Sequence, residues 1–212
     1  MSVRALVLCG DCWHPAETVR RGLGALEDCG FDYEFVDDAA KWSAEMMAKF
    51  SVVVLAKANL ASLTVESPWL TLDSQSAFPD FVQRGNGLVV VHAGTSRYEK
   101  LPAMHELIGG AFVRHPDQCA VTVLPKCSHP ITTGVAPFTL SDEHYFMAMN
   151  DAHADVFLHS RSEHGVQPAG WARTHGEGRV CVLTPGHNET VWLHPSFQKL
   201  LLNALHWAAK TN

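Results

Sequence analysis

Four short apolar runs stand out along this 212-residue chain, at residues 5–9, 51–56, 87–91 and 179–183. Each is aliphatic or β-branched, and each is continuous rather than alternating. That is the pattern of strands buried on both faces of a parallel sheet. A weaker strand, residues 33–36, follows Gly30. Between the runs lie helical segments. Residues 15–26 open on Pro15 and place Val19, Leu23 and Leu26 on one side. Residues 39–50 form a short helix candidate. Residues 72–84 lead to Gly85, a helix stop. Residues 101–108 end at Gly109 and Gly110. Residues 194–210 are amphipathic, with Phe197, Leu200, Leu201, Ala204, Leu205 and Ala208 on one face. The alternation of strand and helix predicts a doubly wound α/β fold with a mostly parallel sheet.

Residues 119–175 break that rhythm. The runs at 121–124, 138–140, 156–158 and 169–172 are shorter and separated by Pro, Gly, Asp and Ser. They read as extra strands, some antiparallel, that extend the sheet in the second half of the chain. No linker, repeat or low-complexity segment divides residues 1–212, so one domain is expected.

Composition narrows the function. Apolar residues make up 47% and charged residues 18%, which excludes disorder. A formal charge of −6 without any Lys/Arg run argues against a nucleic-acid surface. No stretch reaches the roughly 18 apolar residues a membrane helix needs. The first residues are apolar for too short a run to read as a secretory leader. The six cysteines, Cys9, Cys12, Cys29, Cys119, Cys127 and Cys181, are scattered. Cys9 and Cys181 fall inside strand runs, where cysteine is a small buried hydrophobe. Cys9-x-x-Cys12 has no second pair, so it is weak grounds for zinc or redox chemistry. A reduced cytoplasmic protein is the expectation.

Thirteen histidines direct attention to their placement. In open α/β sheets, ligands sit beyond the carboxyl ends of the strands. The segments that follow the main runs are 10–15, 57–59, 92–97 and 184–189. Three of these four carry a histidine: His14, His92 and His187. The bland alternative is three surface histidines in loops, but convergence on one rim favours a site. A second polar cluster, Asp142-Glu143-His144-Tyr145, closes the run at 138–140 and offers acid, base and phenol together. Its alternative is a charged turn. His115-Pro116 and His129-Pro130 suit turn or packing roles. Trp13, Trp69, Trp171, Trp192 and Tyr145 could stack on a sugar ring, though a core role fits any single one.

At these residues the chain resembles the ThuA-like (trehalose-utilisation) family of the class I glutamine-amidotransferase-like superfold, which is flavodoxin-like. The likeness lies in Cys12-Trp13-His14-Pro15 after the first strand, the run 87–91 followed by His92-Ala93-Gly94, and Gly109-Gly110-Ala111-Phe112-Val113-Arg114-His115-Pro116. It continues through His129-Pro130-Ile131-Thr132-Thr133-Gly134 and Asp142-Glu143-His144-Tyr145. It ends in Gly186-His187, Trp192, His194-Pro195 and Asn203-Ala204-Leu205-His206-Trp207. The ordered set, rather than any one motif, carries the resemblance. Amidotransferases of that fold place a nucleophilic Cys on a sharp turn after a central strand. Here that position reads Val91-His92-Ala93-Gly94, so thiolate glutaminase chemistry is not expected.

The resemblance implies an enzyme on a sugar or 3-keto-glycoside, working beside a sugar oxidoreductase that makes the ketone. A base would remove the acidified proton, and an electrophile would stabilise the enediolate. Isomerisation, epimerisation or elimination could follow. The expected catalytic set is His92, Glu143, His144 and His187. Trp13, Arg97, His115, Tyr145 and Asn188 would bind substrate. His14, His92 and His187 would hold a divalent metal, zinc or manganese. No nucleotide cofactor, nucleic acid or membrane partner is expected, and a homo-oligomer stays open. The other class of reading is a non-catalytic sugar- or metal-binding protein on the same fold.

Overall fold

The computed structural model describes residues 2–26, 29–126, 128–150 and 154–211. Along the chain, β1 (Val3–Cys9), α1 (Ala16–Gly24) and β2 (Phe31–Val36) come first. A 3-10 turn (Ala39–Lys41) and α2 (Ala44–Met47) lead to β3 (Val52–Ala56). α3 (Ala77–Gln83), β4 (Gly87–Val91), a second 3-10 turn (His92–Thr95) and α4 (Pro102–Ile108) follow. Next come β5 (Gly110–Arg114), β6 (Cys119–Pro125), β7 (Phe138–Asp142), β8 (Phe146–Met149), β9 (Asp155–Ser162) and β10 (Gly165–His175). β11 (Gly178–Leu183), α5 (Glu189–Trp192) and α6 (Pro195–Ala209) complete the chain.

Nine strands form one sheet in the order β2-β1-β3-β4-β11-β10-β9-β6-β7. The first five run parallel. The remaining four pair antiparallel. β5 and β8 make a separate antiparallel ribbon. β10 turns the corner between the two regimes. Residues 165–172 pair with β9 and residues 170–175 with β11, with register shifts on the β9 side at Pro168/Gly170 and Gly170/Trp171. Bulges of this kind bend a strand and increase local twist.

Every residue of β3 and β4 is buried, as continuous apolar runs require. Alternate side chains feed two cores. Ala5, Val7 and Cys9 pack with α1 and α6, while Leu6 and Leu8 pack with α3 and α4. The whole expected apolar face of α6 is buried. Two helix expectations change. Residues 39–50 split because Ser43 is extended and its hydroxyl accepts the Met46 N–H, starting a new helix mid-segment. Residues 72–84 shrink to α3, because the Ser74 hydroxyl accepts the Thr71 N–H and ties the preceding stretch into turns. The runs at 156–158 and 169–172 are the inner parts of longer strands. β5, β8 and α5 carry no clear sequence signal.

Two of the histidine–proline pairs cap the helix that follows, one a further 3-10 turn (Pro130–Thr132) and the other α6. His129 Nδ1 accepts the Ile131 N–H, and His194 Nδ1 accepts the Ser196 N–H. Burial pushes the His129 imidazole below its ordinary 6.5; Asp155 pulls it up and Lys126 pushes it down. A group held neutral in the fold is protonated more readily in the unfolded chain. Its stabilising effect is therefore complete above 6.5 and is lost as pH falls below it. Asn caps helices without titrating. The loss of thermal stability between pH 6.5 and pH 5 is expected to be smaller in His129→Asn than in the parent, as measured by melting curves. Equal losses would remove His129 as a contributor.

Candidate functional site

Three strand ends and one connection build the site. After β1, Gly10 takes a φ of +82°, which an L side chain resists, and the chain turns at Asp11. Asp11 is fully buried. Its Oδ1 accepts the backbone N–H of Trp13 and of His14, each at 3.0 Å, and His14 Nδ1 at 2.8 Å. Its Oδ2 accepts the Ala58 N–H at 2.8 Å, joining the ends of β1 and β3. Burial alone would raise the Asp11 carboxyl, but His14 and these amides hold it below the usual range. A His14 Nδ1 that donates to Asp11 leaves Nε2 with a bare lone pair.

After β4, His92 sits at a φ of +47°, an uncommon conformation for a residue with a Cβ. Its Nδ1 donates to the Thr184 carbonyl at 2.7 Å, which ties it to the end of β11 and turns Nε2 inward. Burial, the largest effect, pushes His92 below its ordinary value. After β11, the carboxylate of Asp142 accepts the N–H of Gly186 at 2.9 Å and of His187 at 3.0 Å. That grip fixes the loop carrying His187.

Glu143 comes from the connection between β7 and β8. Its Oε2 lies 3.3 Å from His92 Nε2 and 3.2 Å from His187 Nδ1, and its Oε1 lies 3.4 Å from His115 Nε2. Burial would raise the Glu143 carboxyl, but His187 and His92 outweigh it and hold it well below the carboxylate range. Glu143 in turn raises His187. One ligand atom from each of His14, His92, Glu143 and His187 lies within 4.8 Å of the others. His14 Nε2, His92 Nε2 and His187 Nδ1 are buried and lack a hydrogen-bond partner. The short His–Glu143 distances are charge contacts not aligned as hydrogen bonds. Orphaned buried nitrogens cost free energy unless something satisfies them. Three imidazoles and a carboxylate form a donor set that suits a divalent cation.

Above this cluster opens a cleft of about 510 Å³. Trp13, Phe112, His115 and Tyr145 supply its aromatic wall, and Ser96 and Cys12 its rim. The Tyr145 ring stacks on His92 at 4.0 Å.

The structure separates the remaining site expectations. His144 is a correction. It is buried away from the cluster, with Nδ1 on the Ser162 hydroxyl at 2.7 Å and Nε2 on the Ser160 hydroxyl at 3.0 Å. Glu143 and Tyr145 face the cleft, and the residue between them faces the other way. Asn188 is a second correction, because its amide donates to Gln118 and to the Ser141 carbonyl instead of facing the cleft. Arg97 lies over Trp13 at the cleft margin. Asp11 and Asp142 are the positioning residues absent from the sequence-based set. Asp11 has a sequence signal, a carboxylate three residues before a histidine just past a strand. Among the described cysteines, Cys9 is buried and its thiol is pushed up to about 12, and none stands on the turn after β4. Cys127 lies outside the described residues.

The family model for ThuA, described as trehalose utilisation, matches residues 4–208. The chain belongs to the ThuA family. A thua-like protein from Parabacteroides merdae ATCC 43184 superposes with a TM-score of 0.80 at 18% identity, covering 100% of this chain and 91% of that one. A thua-like protein from Bacteroides uniformis ATCC 8492 gives 0.74 at 19% identity, covering 97% and 91%. A cytoplasmic protein from Salmonella typhimurium LT2 gives 0.72 at 14% identity, covering 97% and 99%. At such identities the likeness shows the fold. A search of curated proteins returned no match. No described helix of this ThuA family member is long and apolar enough to cross a membrane.

Proposed function

We propose that this protein is a cytoplasmic enzyme of carbohydrate metabolism that acts on a sugar or 3-keto-glycoside, with His14, His92 and His187 holding a divalent metal beside Glu143. The observation that supports this reading is the set of three buried imidazole nitrogens without a hydrogen-bond partner, gathered around one carboxylate. Bound zinc or manganese would supply charge stabilisation for the oxyanion that develops on a substrate ketone. The chain's own groups do the rest. Asp11 and the Thr184 carbonyl fix the ring orientations of His14 and His92. Glu143, ionised at neutral pH, accepts the proton from the carbon beside the ketone and returns it. The C–H electron pair moves into the enediolate as the carbonyl oxygen gains charge. Tyr145 and Trp13 flank the sugar ring. A sugar oxidoreductase would supply the ketone.

Metal analysis of protein purified without chelator or nickel resin tests the first half. About one equivalent of zinc or manganese is expected. Deuterium exchange from solvent into a 3-keto-glucoside tests the second, and is expected to vanish with EDTA and in Glu143→Gln. Sugar binding without any exchange would assign the chain to the non-catalytic binding class. Exchange that survives EDTA, in protein holding under about a tenth of an equivalent, would leave the histidines as acid–base and hydrogen-bonding groups.

A further inference from the structure

Glu143 has two sides. Its Oε2 faces the imidazoles of His92 and His187, and its Oε1 lies 3.4 Å from His115 Nε2. His115 does not belong to the donor set that suits a cation. Its side chain is 35% exposed, against 12% for Glu143 and 2% for His92, so the three groups step from the floor of the cleft toward its mouth. His115 lines that cleft, with its ring stacked 6.0 Å from the ring of Tyr145.

The protons on His115 can be counted. The Pro116 carbonyl lies 2.8 Å from its Nδ1. A carbonyl only accepts, so Nδ1 carries a proton. Nε2 then faces a carboxylate, which also only accepts. A bare nitrogen there would set two lone pairs against each other. The contact is favourable when Nε2 carries a proton as well, which places a cation beside an anion. A proton donor and a proton acceptor therefore stand side by side in the cleft. Groups in contact serve the same side of a bound ring. Two-base epimerisation needs its acid and its base on opposite faces. A same-side pair suits removal of a proton and departure of a neighbouring group from one face.

We infer that His115 is the general acid of an elimination. This rests on the reading of the site as one for 3-keto-glycosides. Glu143 takes the proton from the carbon between the ketone and the anomeric carbon, and the C–H electron pair moves into the enediolate. The enediolate then re-forms the ketone, and a double bond forms to the anomeric carbon. The anomeric C–O bond breaks with its electron pair on the departing oxygen, which takes the Nε2 proton of His115. Glu143 is left protonated and His115 neutral. The proton crosses the 3.4 Å contact from Oε1 to Nε2, and both groups return to their starting states. The glycoside has become an unsaturated keto-sugar and an alcohol, with no oxidant or water consumed.

Two 3-keto-glucosides that differ in the departing group test it. Methoxide leaves with difficulty unless it is protonated, whereas 4-nitrophenoxide leaves readily as an anion. The parent is expected to release methanol and 4-nitrophenol, each with the ultraviolet absorbance of a conjugated ketone. His115→Gln is expected to slow methanol release by at least about 100-fold and nitrophenol release by less than about tenfold. A merely structural role would slow both alike. His115→Asn is made beside it, and the contrast is read in whichever variant keeps the parent's metal content and thermal midpoint. Equal slowing of the two substrates, unchanged methanol release, or a parent that exchanges deuterium yet releases no alcohol would each overturn the role of His115 while leaving the keto-sugar reading intact. A parent that neither exchanges nor releases would overturn both.

Discussion

His92→Asn is expected to abolish binding at the proposed metal centre while leaving the chain folded. His92 combines two demands that few residues meet together. It occupies a φ of +47°, and it turns a bare ring nitrogen toward His14, His187 and Glu143. Asparagine tolerates that backbone region better than most residues. It cannot place a nitrogen where the far side of the imidazole ring reaches. Loss of a group that only orients a ligating side chain typically lowers metal affinity by about 10- to 100-fold, so loss of the ligating ring itself should exceed about 100-fold. Metal content after desalting is the measurement, with the thermal midpoint as the control for folding. Retention of the parent's metal content by a folded His92→Asn protein would remove His92 from the ligand set.

Gly94→Ala is expected to cause a large loss of stability. A Cβ at Gly94 would lie 2.1 Å from the Leu55 carbonyl oxygen and 2.8 Å from Val90 Cγ1. Leu55 and Val90 belong to the two fully buried central strands, so neither can withdraw cheaply. Overpacking typically costs about 1–3 kcal/mol, and a rigid backbone oxygen places this case at about 3 kcal/mol or more. For a chain of this size that lowers the melting midpoint by about 6–12 °C or prevents folding. Gly24→Ala provides the contrast, because a Cβ there meets nothing within 4 Å at the exposed end of α1. It should raise stability by up to about 1 kcal/mol. A Gly94→Ala midpoint within about 2 °C of the parent would mean the turn after β4 relaxes freely.

The parallel half of the fold is readable because strands buried on both faces leave no polar positions. Residues 52–56 and 87–91 could hardly be anything else. The strand-end rule selects His14, His92 and His187, and these are the imidazoles that meet. The antiparallel half is harder to read. β8 is short, and β5 is buried only over its first residues, so hydrophobic periodicity is weak there. Within Asp142-Glu143-His144-Tyr145 the sequence offers four polar or titratable groups but not the side each one faces. That needs the backbone. There Glu143 joins the cluster, Asp142 grips two amides, and His144 satisfies two serines. Asn188 fails for the same reason, since its partners Gln118 and Ser141 are distant in sequence.

The place of β11 in the sheet has a consequence for how the protein is made. β11 spans Gly178–Leu183, yet it lies between β4 and β10, which are already complete when the ribosome adds it. Until then β4 and β10 each present an open edge, and β4 is apolar along its whole length. Unpaired apolar edges recruit other chains. A nascent or truncated chain that stops before Gly178 therefore resembles a zipper with its middle tooth missing. It should depend on chaperones, and proteolytic fragments lacking β11 should be found in inclusion bodies rather than in solution.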